Sequence, residues 1–225
     1  MADWVTISSL ATAGGTLVLA VATFSSVRSS NRSARVAERA LLAGLRPLLV
    51  PSREDDPTER IRFGDGHVLL IRGHGAAVEE ADGVVYLAIA LRNGGSGLAV
   101  LHGWRARPRV ERERSELTTQ APGVTREPTP DPRDFRRQLI DLHIPAGDTG
   151  CWLGALRDPE EPGHRGVLDA IRREQTVQVD LIYGDHEGGQ RSIARFILGP
   201  WPDGEGRRAT TVSYWSLDGD DPRRG

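Results

Sequence analysis

Val84-Val85-Tyr86-Leu87-Ala88-Ile89-Ala90-Leu91-Arg92 is the stretch that decides the fold. Side chains alternate along an extended chain, so Val85, Leu87, Ile89 and Leu91 share one face while Tyr86, Ala88 and Ala90 share the other. A strand that is apolar on both faces needs cover on both, and this one is predicted to be central. Asn93-Gly94-Gly95-Ser96-Gly97 follows as a hairpin turn, and Leu98, Val100, His102 and Trp104 alternate along the next strand.

Working outward, the period of two recurs. Leu48-Leu49-Val50 and His67-Val68-Leu69-Leu70-Ile71 are short apolar runs, with Pro51 to Arg60 between them as a charged loop. Downstream, Gln138 to Ile144 alternates, Cys151 to Arg157 makes the next strand, and Val177 to Tyr183 pairs with Ile193 to Leu198 as a hairpin. A last strand is expected at Thr211 to Leu217. Val167, Leu168 and Ile171 predict a short helix in the connection before Gln175. About eight short strands and one small helix predict a mainly β fold, an antiparallel immunoglobulin-like β-sandwich rather than a doubly wound sheet.

Residues 105–136 carry no core signal. Arg105, Arg107, Arg109, Arg112 and Arg114 are interleaved with Glu111, Glu113 and Glu116, and four prolines follow. This reads as an exposed excursion with a solvated face. A nucleic-acid patch is disfavoured because the acids cancel the local field, and the chain's net charge of −2 supplies no global one. All 29 basic residues are Arg, a codon-usage pattern rather than a phosphate-binding one.

The N-terminus differs in kind. Trp4 to Val27 is an uncharged run of 24 residues, about 36 Å as a helix against a hydrocarbon core of about 30 Å. Thr and Ser dilute it, but a cleaved signal peptide would want a positive n-region, and none precedes the run here. Arg28, Arg32, Arg35 and Arg39 follow it. The positive-inside rule therefore predicts an inner-membrane single-pass protein, N-terminus outside and the domain cytoplasmic. Ser30 to Leu45 reads as a helix continuing from the span and stopping before Pro47. Five Arg less one Glu give Arg28 to Arg46 a charge of +4, which favours an anionic bilayer surface. Ala11, Gly15 and Ala22 form a small-residue face that would allow a homodimer through the anchor. The expected organisation is anchor 1–28, basic juxtamembrane helix 29–46, β-sandwich 47–218 with its excursion at 105–136, and tail 219–225.

The N-terminal span, the helix ending at Arg46-Pro47 and the run Leu91-Arg92-Asn93-Gly94-Gly95-Ser96-Gly97-Leu98-Ala99 resemble a group of uncharacterised bacterial membrane-anchored proteins. The turn Ile144-Pro145-Ala146-Gly147-Asp148 and the hairpin Tyr183-Gly184-Asp185-His186-Glu187-Gly188-Gly189 fit the same group. The resemblance covers most of the chain. It implies the immunoglobulin-like sandwich and brings no activity with it. The helix near 167–174 and the long excursion exceed a minimal member.

Chemistry is sparse. Asp185-His186-Glu187 is the densest titratable cluster, able in principle to hold a divalent metal or supply an acid and a base. Neighbours in a tight turn point in different directions, so the turn reading is preferred; His102 and His143 could join only if the fold brought them there. Gly94 to Gly97 is not a phosphate loop, because a strand rather than a helix N-terminus follows. Cys151 beside Trp152 is a core thiol before it is a nucleophile, and as the single Cys it excludes an internal disulfide. His67, His74 and His164 are explained by loops. No catalytic residue and no cofactor is assigned. The expectation is a membrane-tethered protein-interaction or scaffold module whose partners are the lipid bilayer and another protein, without nucleic acid. The alternative is a membrane-anchored hydrolase or metal-dependent enzyme centred on Asp185, His186 and Glu187.

Overall fold

A computed structural model of the protein describes residues 4–109, 128–204 and 206–218, without the side chains of residues 4–13, 18, 39 and 43. The chain divides after Gly44 into two compact units.

The first unit is a single helix, α1 (Trp4–Gly44), so the expected span and juxtamembrane helix are one uninterrupted element. It ends three residues before Pro47, in keeping with the bar that proline sets on helix at the preceding residue. Its described apolar side chains stand exposed, Leu17, Leu19, Val21 and Phe24 each at more than 60%. Among the described residues no helix is long and apolar enough to cross a membrane. Residues 4–13 of the expected span fall outside the side chains described.

The second unit is mainly antiparallel β. Its elements are β1 (Leu49–Pro51), β2 (Glu59–Arg62), β3 (Val68–Ile71), β4 (Gly75–Ala81), β5 (Val84–Asn93), β6 (Ala99–Pro108), β7 (Arg136–Arg137), β8 (His143–Ile144), β9 (Thr149–Leu156), α2 (His164–Arg172), β10 (Val177–Gly184), β11 (Ser192–Pro200) and β12 (Arg207–Ser216). Ten strands form one sheet in the order β1-β5-β4-β12-β11-β10-β6-β7, with β9 along β5 and β8 on β6; β2 and β3 form a separate hairpin. The central strand is as predicted. β9 flanks β5 on one side, and β4 and then β1 flank it on the other.

The sheet folds over on itself. Leu87 and Ile89 of β5 and Trp152 of β9 share one core with Trp104 of β6, Leu181 of β10 and Phe196 of β11, which a flat sheet would hold far apart. The opposite face of β5 is also covered: Tyr86, Ala88 and Ala90 pack with Ile61, Phe63, Leu69 and Ile71 of the β2–β3 hairpin. Both apolar faces of the deciding stretch are thus buried.

Several local expectations need correction. Glu59 and Arg60, expected as the end of the charged loop, belong to the strand Glu59–Arg62, in which Arg60 and Arg62 project outward while Ile61 buries. β4 was not expected; its Glu79 and Glu80 mask a strand whose first half is buried. Gly94 to Gly97 is no hairpin turn. β5 and β6 are not paired with each other, and the glycines carry the chain from one part of the sheet to another. A Cβ on Gly97 would lie 1.8 Å from the Leu45 carbonyl oxygen, and one on Gly95 would lie 2.3 Å from that of Arg46. These glycines exist to let two backbones touch.

The excursion starts later than expected. Arg105 to Pro108 still belongs to β6, residues 110–127 lie outside those described, and Pro132–Asp134 is a short 3₁₀ turn. Residues 138–142 are not a strand either. Gln138 turns inward, donating to the Leu153 carbonyl at 3.2 Å and accepting from Trp152 Nε1 at 3.2 Å, and Asp141 takes a left-handed φ of 50°. Gln138 and Arg136, which donates to the Ala155 carbonyl, thereby occupy the outer edge of β9.

Candidate functional site

The outer face of the folded sheet holds a group that the alternation of β10 makes possible. Val177, Val179 and Leu181 point into the core, so Gln178, Asp180 and Ile182 point out. Asp180 sits in register between Arg105 on β6 and Arg195 on β11. Its Oδ1 accepts from Arg195 Nε at 2.6 Å and its Oδ2 from Arg195 Nη2 at 2.9 Å; Arg105 Nε reaches Oδ2 at 2.8 Å. Asp180 is wholly buried and Arg195 is 2% exposed. Trp215 and Phe135 cover the two guanidiniums, 4.8 and 5.0 Å from the ring centroids. Arg105 is therefore no part of a solvated face. This group ties three strands together and leaves no room for a ligand.

Next to it opens a cleft of about 390 Å³, lined by His102 and Gly103 of β6, Pro132, Phe135, Arg136 and Arg137, Ile182 of β10, and Gly188 and Arg191 of the hairpin between β10 and β11. One irregularity organises it. Ile182 faces Gly103 and Tyr183 faces Leu101, so His102 is the extra residue of a β-bulge. A bulge breaks the in-and-out alternation and re-aims a side chain. The imidazole is admitted by Gly184, where a Cβ would stand 3.0 Å from His102 Nε2. That nitrogen is shielded from solvent and has no hydrogen-bond partner among the described residues. Burial, and then the Arg191 charge, push His102 below its usual pKa, partly offset by Asp185 and Asp218.

The cations around the cleft differ in their engagement. Arg191 lies against Asp218, Nη2 to Oδ1 at 2.6 Å, which holds the Asp218 carboxyl below the usual range. Arg136 reaches Glu161 at 2.5 Å and stacks 5.0 Å from the Trp104 ring centroid. The Arg137 side chain is exposed and makes no hydrogen bond or ion pair among the described residues.

The cluster singled out in the sequence behaves as a turn. The Asp185 carboxylate accepts from the backbone N–H groups of Glu187 at 3.0 Å and Gly189 at 2.8 Å, and from Gln190 Nε2 at 3.2 Å. Its oxygens are thus occupied by its own loop. His186 and Glu187 project outward, 62% and 73% exposed, with His186 Nε2 and Glu187 Oε1 3.9 Å apart. His102 comes to this turn, although beside Gly184 and Asp185 rather than His186. His143 is exposed on β8. Cys151 lies on β9, its thiol donating to Glu59 at 3.3 Å; burial and that carboxylate push it up to about 12, far from a reactive thiolate. His67 stacks on Tyr86, His74 bonds the Ser52 carbonyl and His164 the Gly83 carbonyl. Among the described residues no group of three or more His, Cys, Asp or Glu is placed to hold a metal ion.

Sequence reasoning missed Arg191, Asp218 and the Arg136-Arg137 pair. Nothing in their spacing announces that residues so far apart meet. Asp180 and Arg195 did carry a signal, as charges in the middle of otherwise apolar strands. Compared with known protein families, with curated proteins and with solved structures, the chain matches none.

Proposed function

We propose that the protein is a membrane-tethered, cytoplasmic interaction module. In this reading α1 anchors an immunoglobulin-like sandwich, of the kind its resemblance to bacterial membrane-anchored proteins implies, beside the bilayer, where it meets a protein partner. The observation that carries the reading is the state of the polar groups in the apolar part of α1. Thr23 Oγ1 donates to the Leu19 carbonyl at 2.7 Å and Ser25 Oγ to the Ala22 carbonyl at 2.9 Å. Hydroxyls bonded back to their own helix can enter hydrocarbon without leaving a donor unpaired. Around them Leu17, Val21 and Phe24, spaced i, i+4 and i+7, form an exposed apolar stripe with Leu19 on the opposite side, and an exposed apolar stripe calls for cover. Arg28, Arg32 and Arg35 on the C-terminal flank support a cytoplasmic domain.

The test is a pair of measurements on the full chain in bacterial cells. It should stay with membranes through alkaline extraction, and a reporter fused after Gly225 should behave as cytoplasmic. Replacing Arg28, Arg32, Arg35 and Arg39 together by Gln should weaken that orientation. Release by alkaline extraction would end the anchor reading, and an extracytoplasmic reporter would end the topology.

A further inference from the structure

The cleft beside the His102 bulge is built for something the interaction reading does not call for. Its cations come from two separate elements, Arg137 from β7 and Arg191 from the hairpin, which line one opening, while the neighbouring Arg136 turns its guanidinium to Trp104 and Glu161. The carboxylates nearby are already committed. Asp218 holds Arg191, Glu161 holds Arg136, and Asp185 is bound by its own turn. Arg137 has no hydrogen-bond or ion-pair partner among the described residues, and its guanidinium fork is the geometry that matches an oxyanion in two places at once. Phe135, Pro132 and Ile182 supply low-dielectric walls, against which such a charge interacts more strongly than in open water.

We propose that this cleft binds a small ligand through an oxyanion group, sulfate- or phosphate-like, and that His102 takes up a proton as the anion enters. The imidazole lines the same cleft as Arg137 and Arg191, and its Nε2 has no hydrogen-bond partner among the described residues. Without ligand, four conditions bear on its charge: burial and Arg191 oppose it, while Asp185 and Asp218 favour it. Arg137 adds a positive charge to the lining from β7. An anion among these groups reverses the balance, because an opposite charge at close range favours the protonated ring. Binding and protonation are then linked, and each raises the affinity of the other by the same factor. The ligand binds more tightly as pH falls through the His102 midpoint of the complex, and affinity levels off below the midpoint of the free protein. The inference rests on the cleft alone and stands or falls independently of the anchor.

The experiment uses the full chain in non-ionic detergent, with sodium sulfate as probe and sodium chloride at matched ionic strength as control. Sulfate stays doubly charged across the working range, so any pH dependence belongs to the protein. The His102 ring is followed by NMR through a pH titration with and without sulfate. The expected result is saturable binding that chloride does not reproduce, with the His102 midpoint raised by about one unit and therefore roughly tenfold tighter binding at low than at high pH. Arg137→Gln, at an exposed side chain on which no fold contact depends, should weaken binding by about fivefold or more. His102→Gln should keep sulfate binding and lose its pH dependence. Glycerol phosphate and phosphatidic-acid vesicles then distinguish sources: displacement of sulfate by the soluble ester alone assigns a free ligand, and by the vesicles alone a lipid headgroup. A response to sulfate no different from chloride, an unmoved His102 midpoint, or no displacement by either phosphate would overturn the proposal.

Discussion

Replacing Asp180 by Asn tests whether the buried ion group on the outer sheet face acts as a strand-to-strand tie. Asparagine keeps the volume and one acceptor oxygen but removes the charge that Arg105 and Arg195 share. Four contacts between 2.6 and 2.9 Å are affected, at a residue with no solvent exposure. Removing one partner of a buried pair costs about 3–5 kcal/mol, chiefly because charge stays buried without its counter-ion. Arg105 retains Asp134 at 3.3 Å and Arg195 retains the Trp215 face, so the lower half of that range is expected. For a chain of this size each kcal/mol moves the midpoint by about 2–4 °C, giving a drop of roughly 6–16 °C. Thermal unfolding followed by tryptophan fluorescence suits the purpose, since Trp215 lies over Arg195 itself. A companion variant sharpens the reasoning: Arg105→Met, Asp180→Leu and Arg195→Met together remove all three charges of the group and should cost less than the single change. A loss below about 1 kcal/mol for Asp180→Asn, or a triple variant worse than the single one, would refute the account.

Other consequences follow from individual side chains. Ile89→Ala, at a wholly buried position of β5, should cost about 2–5 kcal/mol in a denaturant melt, and an unchanged midpoint would remove that strand from the core. Asn93→Ala strips the acceptor of the Leu48 and Gly95 N–H groups and the donor to the Gly97 and Ile144 carbonyls; at about 0.5–1.5 kcal/mol per bond it should lose at least 2 kcal/mol. His102 sits below its ordinary 6.5 in the folded chain, so the unfolded chain holds that proton more tightly. Stability should then fall as pH drops below about 6.5 and flatten once the folded group is also protonated, and His102→Gln should abolish that slope in urea melts taken across the range. His186→Ala, on an exposed turn, should stay within about 0.5 kcal/mol, with no zinc- or manganese-dependent change in melting temperature in either protein.

Much of the fold was legible because its main strands obey a simple period. β5 announces both of its buried faces, and β10 and β11 alternate cleanly enough to be paired from sequence. The failures have physical causes. β2 and β4 are strands whose charged outward residues hide a buried row. The 138–142 segment has the alternation of a strand, yet Gln138 spends its amide on Trp152 and the edge of β9, so alternation there reports side-chain placement without a ladder. The cleft was the least legible part. His102 looked like one residue in an alternating strand, and only the register against Ile182 and Tyr183 shows it to be the bulged residue.

The glycine-rich run after β5 shows how one sequence feature can be read for the wrong function of the same residues. Its glycines suggested a reversal of the chain, whereas their absent side chains serve the segment that follows α1. The Leu45 carbonyl rests against Gly97 and the Arg46 carbonyl against Gly95, closer than any Cβ would permit. Gly94 N–H donates to the Leu48 carbonyl at 2.8 Å, Leu48 N–H to Asn93 Oδ1 at 3.1 Å, and Leu49 N–H to Tyr183 Oη at 3.2 Å. Arg46 adds its guanidinium over the Tyr214 ring, 5.5 Å from the centroid. Every residue from 45 to 49 except Pro47 thus has a named hold on the sheet, and Pro47 is itself buried with φ fixed by its ring. The segment that succeeds α1 is consequently bound structure, not a flexible linker.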